Sequence, residues 1–407
     1  MSQNQGIEDY NWAVNEIHLA MKICGIHFDN DRSKWLQSLM TLRAIFLASI
    51  VINFILFPAI PAMIKVWGHL TLVIDNLIIF IPFVMSICNL FSMWCNRKEV
   101  GGLFQEIEKD WMIQRPIAER NIMIKNAKTS MNIIRFAYIT ATCLISTHNM
   151  QFWVLGIIPR TLTNLTDGER PLLIQTYYMY DVTTDVNFML TAIGQTLSTM
   201  VAALCYTTAG CIFYTFVFHI CGQLEILKIL MENMFGDNEQ ESDKLDESAA
   251  QFFKVVVRRH QELIKFAEMV EDIFNMLFLQ QFLGSMISIS SEGFLIISMI
   301  VGDVDVPAVA VIFVIIYAIY CIVMTLVYCT GGEYLIASSE AIYTAIYNSH
   351  WYNSERLHRM ELTVIINRAQ RPLYITIGKF TPISLTTFTN FMKTTGSYMS
   401  VLLAVKS

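Results

Sequence analysis

Residues 306–332 read VPAVAVIFVIIYAIYCIVMTLVYCTGG, an apolar run without a single Asp, Glu, Lys or Arg. A membrane-spanning helix needs about 20 mostly apolar residues, because a rise of about 1.5 Å per residue must cover about 30 Å of hydrocarbon. The run meets that requirement with residues to spare. It therefore predicts a transmembrane helix and indicates that the chain is a membrane protein.

Six further stretches have the same character, and each contains at most one charged residue. They are residues 44–64, 70–95, 136–159, 186–224, 273–300 and 380–405. The charges that interrupt them are Asp75, Glu292 and Lys393. The fourth stretch is longer than a bilayer needs, so its helix is expected to tilt or protrude. Together the stretches predict an all-α membrane protein with seven transmembrane helices.

The composition of the 407 residues narrows the class of protein. Only 15% are charged and the mean hydropathy is +0.47, whereas soluble domains carry about 25% charged residues. These values disfavour a soluble enzyme and exclude a disordered chain. The net charge of −6 offers no basic surface for nucleic acid. The first 38 residues lack the pattern of a signal peptide.

Motifs of catalysis and cofactor binding are missing from the sequence. It contains no G-x-x-x-x-G-K-S/T, G-x-G-x-x-G, H-E-x-x-H or C-x-x-C, and its eight histidines are scattered. We therefore expect no enzyme activity, no cofactor and no metal site. A transporter would often show paired repeats, and seven spans do not divide into halves. The function classes that remain are a receptor, a channel, or a protein that combines both functions.

The distribution of Lys and Arg predicts the orientation in the membrane. Of 28 basic residues, 23 lie before the first span or in the connections after the second, fourth and sixth spans, and only three lie in the other connections. Because basic connections stay in the cytosol, the N-terminus is predicted to be cytosolic and the C-terminus extracellular. The single glycosylation sequon, at Asn164, then falls in the outer loop 160–185, although a chance match is the alternative. All nine cysteines lie in spans or on the cytosolic side, where disulfides are rare.

Four segments outside the spans are predicted to be cytosolic. Residues 10–27 and both ends of 96–135 have helical periodicity, while the acidic residues 236–249 predict a flexible loop. In residues 333–379 the sixth helix is expected to continue beyond the membrane and a second helix to follow at 355–371, with Leu362, Ile365 and Ile366 on one face. The run INRAQRPLYITIGKF, residues 366–380, has apolar positions without an evident partner in one subunit, so we expect it to dock against other subunits.

These predictions divide the chain into four parts. Residues 1–43 form a cytosolic N-terminal helical segment, and residues 44–332 hold six transmembrane helices. Residues 333–379 form cytosolic anchor helices, and residues 380–407 form the seventh helix and an extracellular C-terminus.

The C-terminal quarter of the chain carries a recognisable set of motifs. It reads CTGGEYLIASSEAIYTAIYNSHWY at 329–352, then R-A-Q-R-P-L at 368–373 and G-K-F at 378–380. The last span has the spacing S-L-x-x-F…K-x-x-x-S-Y-x-x-x-L, and the N-terminal segment reads YNWAVN. The residues that carry the pattern are Cys329, Gly332, Ala345, Tyr347, Trp351, Arg368, Gln370, Arg371, Pro372, Leu373, Gly378, Lys379, Phe380, Ser384, Leu385, Phe388, Lys393, Ser397, Tyr398 and Leu402. This set strongly resembles insect odorant receptors.

The resemblance implies an odorant-gated channel. In that family four subunits form a nonselective cation channel in the plasma membrane of sensory neurons, the last helix lines the pore, and each subunit holds a pocket for a small volatile ligand in its outer half. The connection between the fourth and fifth spans is shorter than that of the family's coreceptor, and the tail LLAVK also differs from the coreceptor's tail. The chain therefore resembles a tuning subunit that pairs with the coreceptor. The alternatives are a gustatory-type channel that works alone and a metabotropic receptor with seven helices.

Candidate ligand contacts are aromatic, apolar or polar residues at one-turn spacing in the outer halves of the second, third, fourth and sixth spans. The candidates are Phe80, Phe83, His148, Phe152, Met189, Ile193, Tyr317 and Tyr320. The alternative is that each packs against a neighbouring helix or lipid. His148 favours a functional role because polar groups at membrane depth usually face the interior of the bundle. Tyr177, Tyr178 and Tyr180 could line a lid or stabilise the outer loop, and Trp153 is expected to be an interface anchor.

Further candidates lie at charges within the spans and along the last helix. Asp75 and Glu292 indicate either a paired structural charge or a water-filled path. The resemblance places a pore and gate at Lys393, Ser397, Val401 and Val405. An apolar constriction at the two valines would gate by dewetting, with lipid or helix packing as the alternative. A ring of positive charge would oppose cations, so the Lys393 side chain is expected to point away from the narrowest path or to be hydrogen-bonded.

Overall fold

The computed structural model of the chain describes residues 3–26, 34–158, 160–232, 242–301, 307–349 and 356–406. Almost all of these residues are helical. The helices are α1 (Gln3–Cys24), α2 (Lys34–Val51), α3 (Phe57–Lys65), α4 (Leu70–Cys95), α5 (Arg97–Met112), α6 (Ile117–Trp153), α7 (Asp185–Glu232), α8 (Ser242–Val301), α9 (Ala308–Asn348), α10 (Arg356–Ala369) and α11 (Leu385–Lys406). A π-helical segment, Ile52–Leu56, joins α2 to α3. Strands β1 (Thr376–Ile377) and β2 (Thr381–Pro382) pair antiparallel in a short hairpin.

Each of the seven predicted spans overlaps helical structure, and the first one covers part of α2, the π-helical segment and most of α3. Five helical stretches among the described residues are long and apolar enough to cross a membrane: Lys34–Lys65, Leu70–Cys95, Asp185–Glu232, Phe253–Val301 and Ala308–Asn348. The predicted third and seventh spans lie on α6 and α11, which are more polar. The all-α architecture predicted from the sequence is thereby confirmed.

Several boundaries differ from the predicted ones. The last span begins at Leu385 instead of residue 380, because Thr381 and Pro382 belong to the hairpin. Residues 242–249, predicted to be part of a flexible loop, are helical and continue into α8, whereas 236–241 lie outside the described residues. Their sequence SDKLDESA includes Lys, Leu, Glu and Ala, which favour a helix despite the polar composition. The third span belongs to a single helix of 37 residues that starts directly after Pro116.

The central element of the bundle is α7. It packs against α1, α2, α4, α6, α8 and α9. Every residue from Gly210 to Phe218 is buried, so this part of the helix has no exposed face. A helix that is surrounded by other helices needs no polar stripe, which is why its sequence is apolar all round.

The two ends of the bundle differ in composition. We call the end formed by α1, α5, α10 and the hairpin the basic end. The end formed by residues 154–158, residues 160–184 and the end of α3 is the loop end. At the basic end, α1 is tied to α6 by ion pairs of Arg120 with Asp9 (2.7 Å) and of Arg135 with Glu16 (2.6 Å). Gly25 follows α1 with a φ of 76°, a left-handed conformation that commonly ends a helix.

The hairpin segment packs inside its own chain. Leu373, Ile375, Ile377 and Ile383 are buried, and the backbone N–H of Thr376 donates to a carboxylate oxygen of Glu271 on α8 at 2.7 Å. The prediction that the apolar positions of residues 366–380 lack a partner within one subunit is therefore wrong for Leu373, Ile375 and Ile377. The segment packs against α8 and also against α9, where Ser339 accepts a hydrogen bond from the Leu373 N–H at 2.9 Å. Local periodicity does not reveal such distant partners. Other apolar side chains in this region remain exposed: Tyr347, Met360, Val364, Tyr374 and Phe380.

Candidate ligand pocket and pore helix

A cavity of about 150 Å³ lies within the helix bundle, in the half nearer the loop end. Five helices contribute to its wall, namely α4, α6, α7, α8 and α9, and Ile174 from the loop reaches it as well. Most of the wall is apolar, with side chains such as Ile78, Phe83, Leu144 and Val314. A dry apolar cavity of this volume in a protein of known structure binds benzene. The cavity therefore has room for a small organic molecule.

One wall of the cavity is a row of aromatic rings. On α9, Phe313 and Tyr317 lie nearly parallel, with ring centroids 6.3 Å apart and an interplanar angle of 5°. Tyr320 continues the row at 6.5 Å and 15°. The ring centroid of His148 on α6 lies 5.1 Å from that of Phe313. The spacing of three and four residues places these α9 rings on one helix face, which is why they form a continuous surface.

Polar atoms are few in the wall, and three of them lack a hydrogen-bond partner within the part of the chain that is described. They are the Nδ1 atom of His148, the Oγ1 atom of Thr207 and the Oγ atom of Ser288. A fourth polar group, the hydroxyl of Tyr206, accepts a hydrogen bond from the side-chain amide of Gln281. A few convergent polar groups in an otherwise apolar wall are typical of small-molecule sites.

The loop end of the bundle is closed by residues 160–184. Leu173 and Ile174 are buried, and the Ile174 N–H donates to the side-chain oxygen of Gln195 at 3.1 Å. The guanidinium of Arg160, itself buried, donates to Asp167 at 2.6 Å and to the carbonyl of Leu172 at 3.0 Å. These bonds fix the loop to itself and to α7, so the loop covers the cavity as an ordered segment.

The three tyrosines of the loop have contacts outside the cavity wall. The Tyr178 hydroxyl donates to the carbonyl of Phe54 at 2.6 Å, and the Tyr180 hydroxyl shares a hydrogen bond of 2.7 Å with Thr191. The ring of Tyr177 lies 3.2 Å below the Lys65 ammonium. Trp153 hydrogen-bonds to Thr196 at 2.9 Å. These contacts tie the loop and the end of α6 to α3, α7 and the π-helical segment, which stabilises the loop end.

The structure brings together four of the eight candidate ligand contacts. Phe83, His148, Tyr317 and Tyr320 line the same cavity although they come from three different helices. The other four do not line it. Met189 and Ile193 lie on the surface of α7 and are 46% and 44% exposed.

The other two candidates, Phe80 and Phe152, lie on helices that contribute to the cavity but do not line it. Phe152 packs in a small cluster with Phe83 and Val51, and Phe80 is half-buried on α4.

Several wall residues were missed by the sequence argument. Phe313 lies one turn before Tyr317, so the criterion of one-turn aromatic spacing could have found it. Tyr206 lies beyond the outer half of its span, and Ser285 and Ser288 lie in the fifth span, where we proposed no contacts. A serine in an apolar helix carries no sequence signal of its own, because its hydroxyl usually bonds to the backbone of the same helix.

The two carboxylates within the spans have different surroundings. Asp75 lines the cavity and accepts a hydrogen bond from the backbone N–H of Thr161 at 3.0 Å, so it connects α4 to the loop. Glu292 is fully buried on α8, where the thiol of Cys321 lies 3.8 Å from its Oε1 atom. Its Oε2 atom has no hydrogen-bond partner among the described residues.

One face of α11 is exposed along the whole helix. Lys393, Ser397, Val401 and Val405 follow one another at four-residue spacing, and all four side chains are exposed. Their neighbours Thr389, Asn390 and Thr394 are exposed as well. On the opposite face, Phe391 packs edge-on against Phe282 of α8 at 5.4 Å, and the Thr395 carbonyl accepts a hydrogen bond from Ser290 of α8 at 3.2 Å. The last helix therefore attaches to α8 and presents a largely polar face away from the bundle.

Comparison with known proteins identifies the family of this fold. A family model described as 7tm Odorant receptor matches residues 69–396. The chain belongs to this family. It is therefore a multi-pass membrane receptor and not an enzyme, and the resemblance drawn from the C-terminal motifs is confirmed.

Similar proteins support the family assignment over more than three quarters of the chain, and a solved structure supports the fold over nearly all of it. Odorant receptor 13a of Drosophila melanogaster is 24% identical over 79% of this chain and 77% of its own length. Putative odorant receptor 92a of the same organism is 24% identical over 77% of this chain and 74% of its own length. The solved structure of the insect olfactory receptor OR5 from Machilis hrabei in complex with eugenol has a TM-score of 0.77 at 15% identity, covering 98% of this chain and 99% of that one. The fold of the chain, with its seven spans, is thus that of an insect olfactory receptor.

Proposed function

We propose that the chain is the odorant-binding subunit of a heteromeric, ligand-gated, nonselective cation channel. Its partner is the odorant receptor coreceptor, and the channel resides in the plasma membrane of sensory neurons. The observation that supports this function best is the cavity under the ordered loop. It is small, mostly apolar and lined by aromatic rings, which are the properties that a volatile organic ligand needs in a site.

The exposed face of α11 supports a role in conduction. Thr389, Asn390, Lys393, Thr394 and Ser397 form a polar surface on a helix that is predicted to span the membrane. A polar surface facing lipid would be costly, whereas the same surface around a shared water-filled axis would be hydrated. Val401 and Val405 continue this face with apolar side chains, and a ring of such side chains can close a pore by excluding water. In this arrangement Lys393 faces a hydrated vestibule instead of lipid.

The helix α8 connects the pocket to the pore helix. Ser285, Ser288 and Leu295 of α8 line the cavity, and Ser290 donates to the Thr395 carbonyl of α11. Gly293 allows close approach of α11, since a Cβ atom there would overlap the side chain of Met399. A ligand that spreads the cavity wall would therefore move the surface on which α11 rests.

Exposed apolar side chains at the basic end support assembly with other subunits. Tyr347, Met360, Val364 and Phe380 are 61%, 63%, 70% and 84% exposed in the single chain. They lie on α9, α10 and the hairpin, directly before the pore helix. We propose that neighbouring subunits cover these side chains beneath the pore. They replace the hairpin residues for which the sequence predicted this role, because those residues are buried within the chain.

The experiment that tests the proposed function is expression of the full chain alone and with the coreceptor. Surface labelling measures delivery in both cases, and odorant-evoked currents measure conduction. We expect currents only with the coreceptor, and we expect Ala141→Leu, which adds volume at the cavity wall, to suppress them. Strong currents from the chain alone at equal surface density would show a self-sufficient channel. Evoked signals without current would show a metabotropic receptor.

A further inference from the structure

We infer that the cavity selects single-ring aromatic compounds that carry an oxygen, and that the Ser288 hydroxyl donates the hydrogen bond that recognises this oxygen. The inference rests on the proposed function, because it assumes that ligands bind in the cavity. It goes beyond that function by naming the chemical class of the ligand and the residue that reads it.

Ser288 differs from those buried hydroxyls that bond to the backbone of their own helix, and in the cavity wall it shares this difference with Thr207. The hydroxyls of Ser198, Thr215 and Thr325 donate to the carbonyl four residues earlier, at 2.8, 3.0 and 2.9 Å. Ser288 is 97% buried, yet its Oγ atom makes no hydrogen bond within the described part of the chain. It lies in the wall of the cavity. Its O–H group is therefore available to a molecule inside the cavity, and leaving it unpaired is unfavourable.

The shape of the cavity favours a ring. Phe313, Tyr317 and Tyr320 form a wall of nearly parallel rings, with interplanar angles of 5° and 15°. Aromatic rings attract other rings in offset-stacked or edge-to-face arrangements. A volume of about 150 Å³ is that of a cavity known to hold benzene. One ring with a small substituent therefore fills a space of this volume.

The charges around the cavity favour a neutral oxygen over an ammonium group. A buried ammonium is stabilised best by an unpaired carboxylate, but Asp75 already accepts from the Thr161 N–H and lies in the field of the Arg160 guanidinium. Glu292 does not line the cavity. Two further wall atoms lack a hydrogen-bond partner in the described part of the chain. They are the Oγ1 atom of Thr207 and the Nδ1 atom of His148, and the latter can donate to or accept from a neutral oxygen substituent according to its tautomer. An oxygen function is thus the group that the unpaired atoms can satisfy.

The test compares three probes of similar size, namely benzaldehyde, benzyl alcohol and toluene. Binding to the full-length receptor in detergent is measured by thermal stabilisation, and the responses of the channel expressed with the coreceptor give the half-maximal concentrations. In the wild type we expect both oxygen-bearing probes to bind more tightly than toluene. Ser288→Ala is expected to weaken binding of benzaldehyde and benzyl alcohol about 2- to 12-fold, the cost of one hydrogen bond, and to leave toluene unchanged.

Two variants serve as controls. Ser288→Thr keeps a hydroxyl at the same position and is expected to preserve the preference for oxygen. Ser86→Ala removes a hydroxyl that is equally buried and without a hydrogen-bond partner among the described residues, but that lies on α4 outside the cavity wall. It should change none of the three affinities.

The possible outcomes separate this inference from the proposed function. Equal affinity of toluene and benzaldehyde in the wild type, failure of all three probes to bind, or an equal effect of Ser288→Ala on all three would overturn the inference. If Ala141→Leu abolishes binding of the probes while Ser288→Ala changes nothing, the cavity is the site and only the inference is wrong. If Ala141→Leu leaves every affinity unchanged, the cavity is not the binding site and the proposed function fails with it.

Discussion

Tyr317 occupies the middle of the aromatic wall, between Phe313 and Tyr320. Replacing it with alanine removes a ring face and enlarges the cavity, so a small ligand loses contacts on one side. We expect Tyr317→Ala to raise the half-maximal odorant concentration several-fold while surface expression and the response to a coreceptor agonist stay the same. Dose–response currents measure the change.

The matched control for Tyr317 is Met189→Ala. Met189 was a candidate of the same kind, but it is 46% exposed on α7 and does not line the cavity. Its dose–response curve should superimpose on that of the wild type. Equal shifts for both variants, or none for Tyr317→Ala with several agonists, would contradict the assignment of the cavity as the ligand site.

Whether a candidate residue from the sequence lines the cavity depends on the face of the helix that it occupies. The sequence shows which residues of a span lie at the correct depth, but an apolar helix does not reveal which of its faces is turned toward a cavity. Tyr317 and Met189 both met the depth criterion, and only packing separates them. His148 carried a usable signal because a polar ring at membrane depth must turn inward. Ser288 carried none, because most buried hydroxyls bond to their own helix.

The helices α5, α7 and α8 are joined at the basic end by one carboxylate. Asp110 lies 2.9 Å from the His219 ring and 2.7 Å from the Arg259 guanidinium. Burial alone would raise the pKa of Asp110, but the hydrogen bond and charge of His219 and the guanidinium of Arg259 outweigh it and lower the pKa to about 2. Since an unfolded aspartate has a pKa of about 3.9, the stabilisation is complete above pH 4 and is lost as the pH falls from about 4 to about 2.

We therefore expect Asp110→Asn to destabilise the receptor by about 2–3 kcal/mol at pH 7, somewhat less than for a fully buried pair because Arg259 keeps contact with solvent and with Glu262. At pH 3 the difference in unfolding free energy between the variant and the wild type should be smaller. Thermal unfolding in detergent at the two pH values measures both effects. Glu106→Gln, which breaks an exposed pair with Lys109 on the same helix, should leave the midpoint unchanged. An undiminished difference at pH 3 would show that Asp110 stabilises the fold by packing instead of charge.

The exposed face of α11 makes a prediction about gating. If Val401 and Val405 form a ring around a shared axis, a polar side chain there would let water enter the closed pore. Val401→Ser and Val405→Asn should therefore increase the resting current of the channel assembled with the coreceptor, modestly if a single subunit carries the change. Ile312→Ser, on an exposed face of α9, is the control and should leave the resting current unchanged. If the variants reach the cell surface and their resting current equals that of the wild type, these valines face lipid or protein.

At the level of elements, the sequence predicted the spans well because bilayer thickness sets their minimum length. The helical stretches Lys34–Lys65, Leu70–Cys95, Asp185–Glu232 and Phe253–Val301 contain their predicted spans in full. The errors arose where a boundary depends on distant contacts. The hairpin before α11 is stabilised by Glu271 and Asn275 of α8, more than 100 residues earlier, and local periodicity carries no trace of such contacts.

At the scale of the whole molecule, the loop end and the basic end would lie on opposite sides of a membrane. The loop end holds Asn164 in an exposed position, together with Lys65, Arg160 and Arg170, which are the three basic residues of its connections. Of the remaining Lys and Arg, 23 lie before the first span or in the connections after the second, fourth and sixth spans. Because basic connections are retained in the cytosol, this asymmetry predicts that the basic end and the N-terminus are cytosolic.

The predicted orientation can be tested on intact cells. An epitope tag at the N-terminus should bind antibody only after permeabilisation, while a tag at the C-terminus should bind without it, because seven spans place the ends on opposite sides. Glycosidase treatment should increase the gel mobility of the wild type, and Asn164→Gln should abolish that shift, since the sequon is exposed at the loop end. An accessible N-terminal tag on intact cells would reverse the orientation. It would place α10 and the hairpin outside the cell, where they could not form a cytosolic anchor beneath the pore.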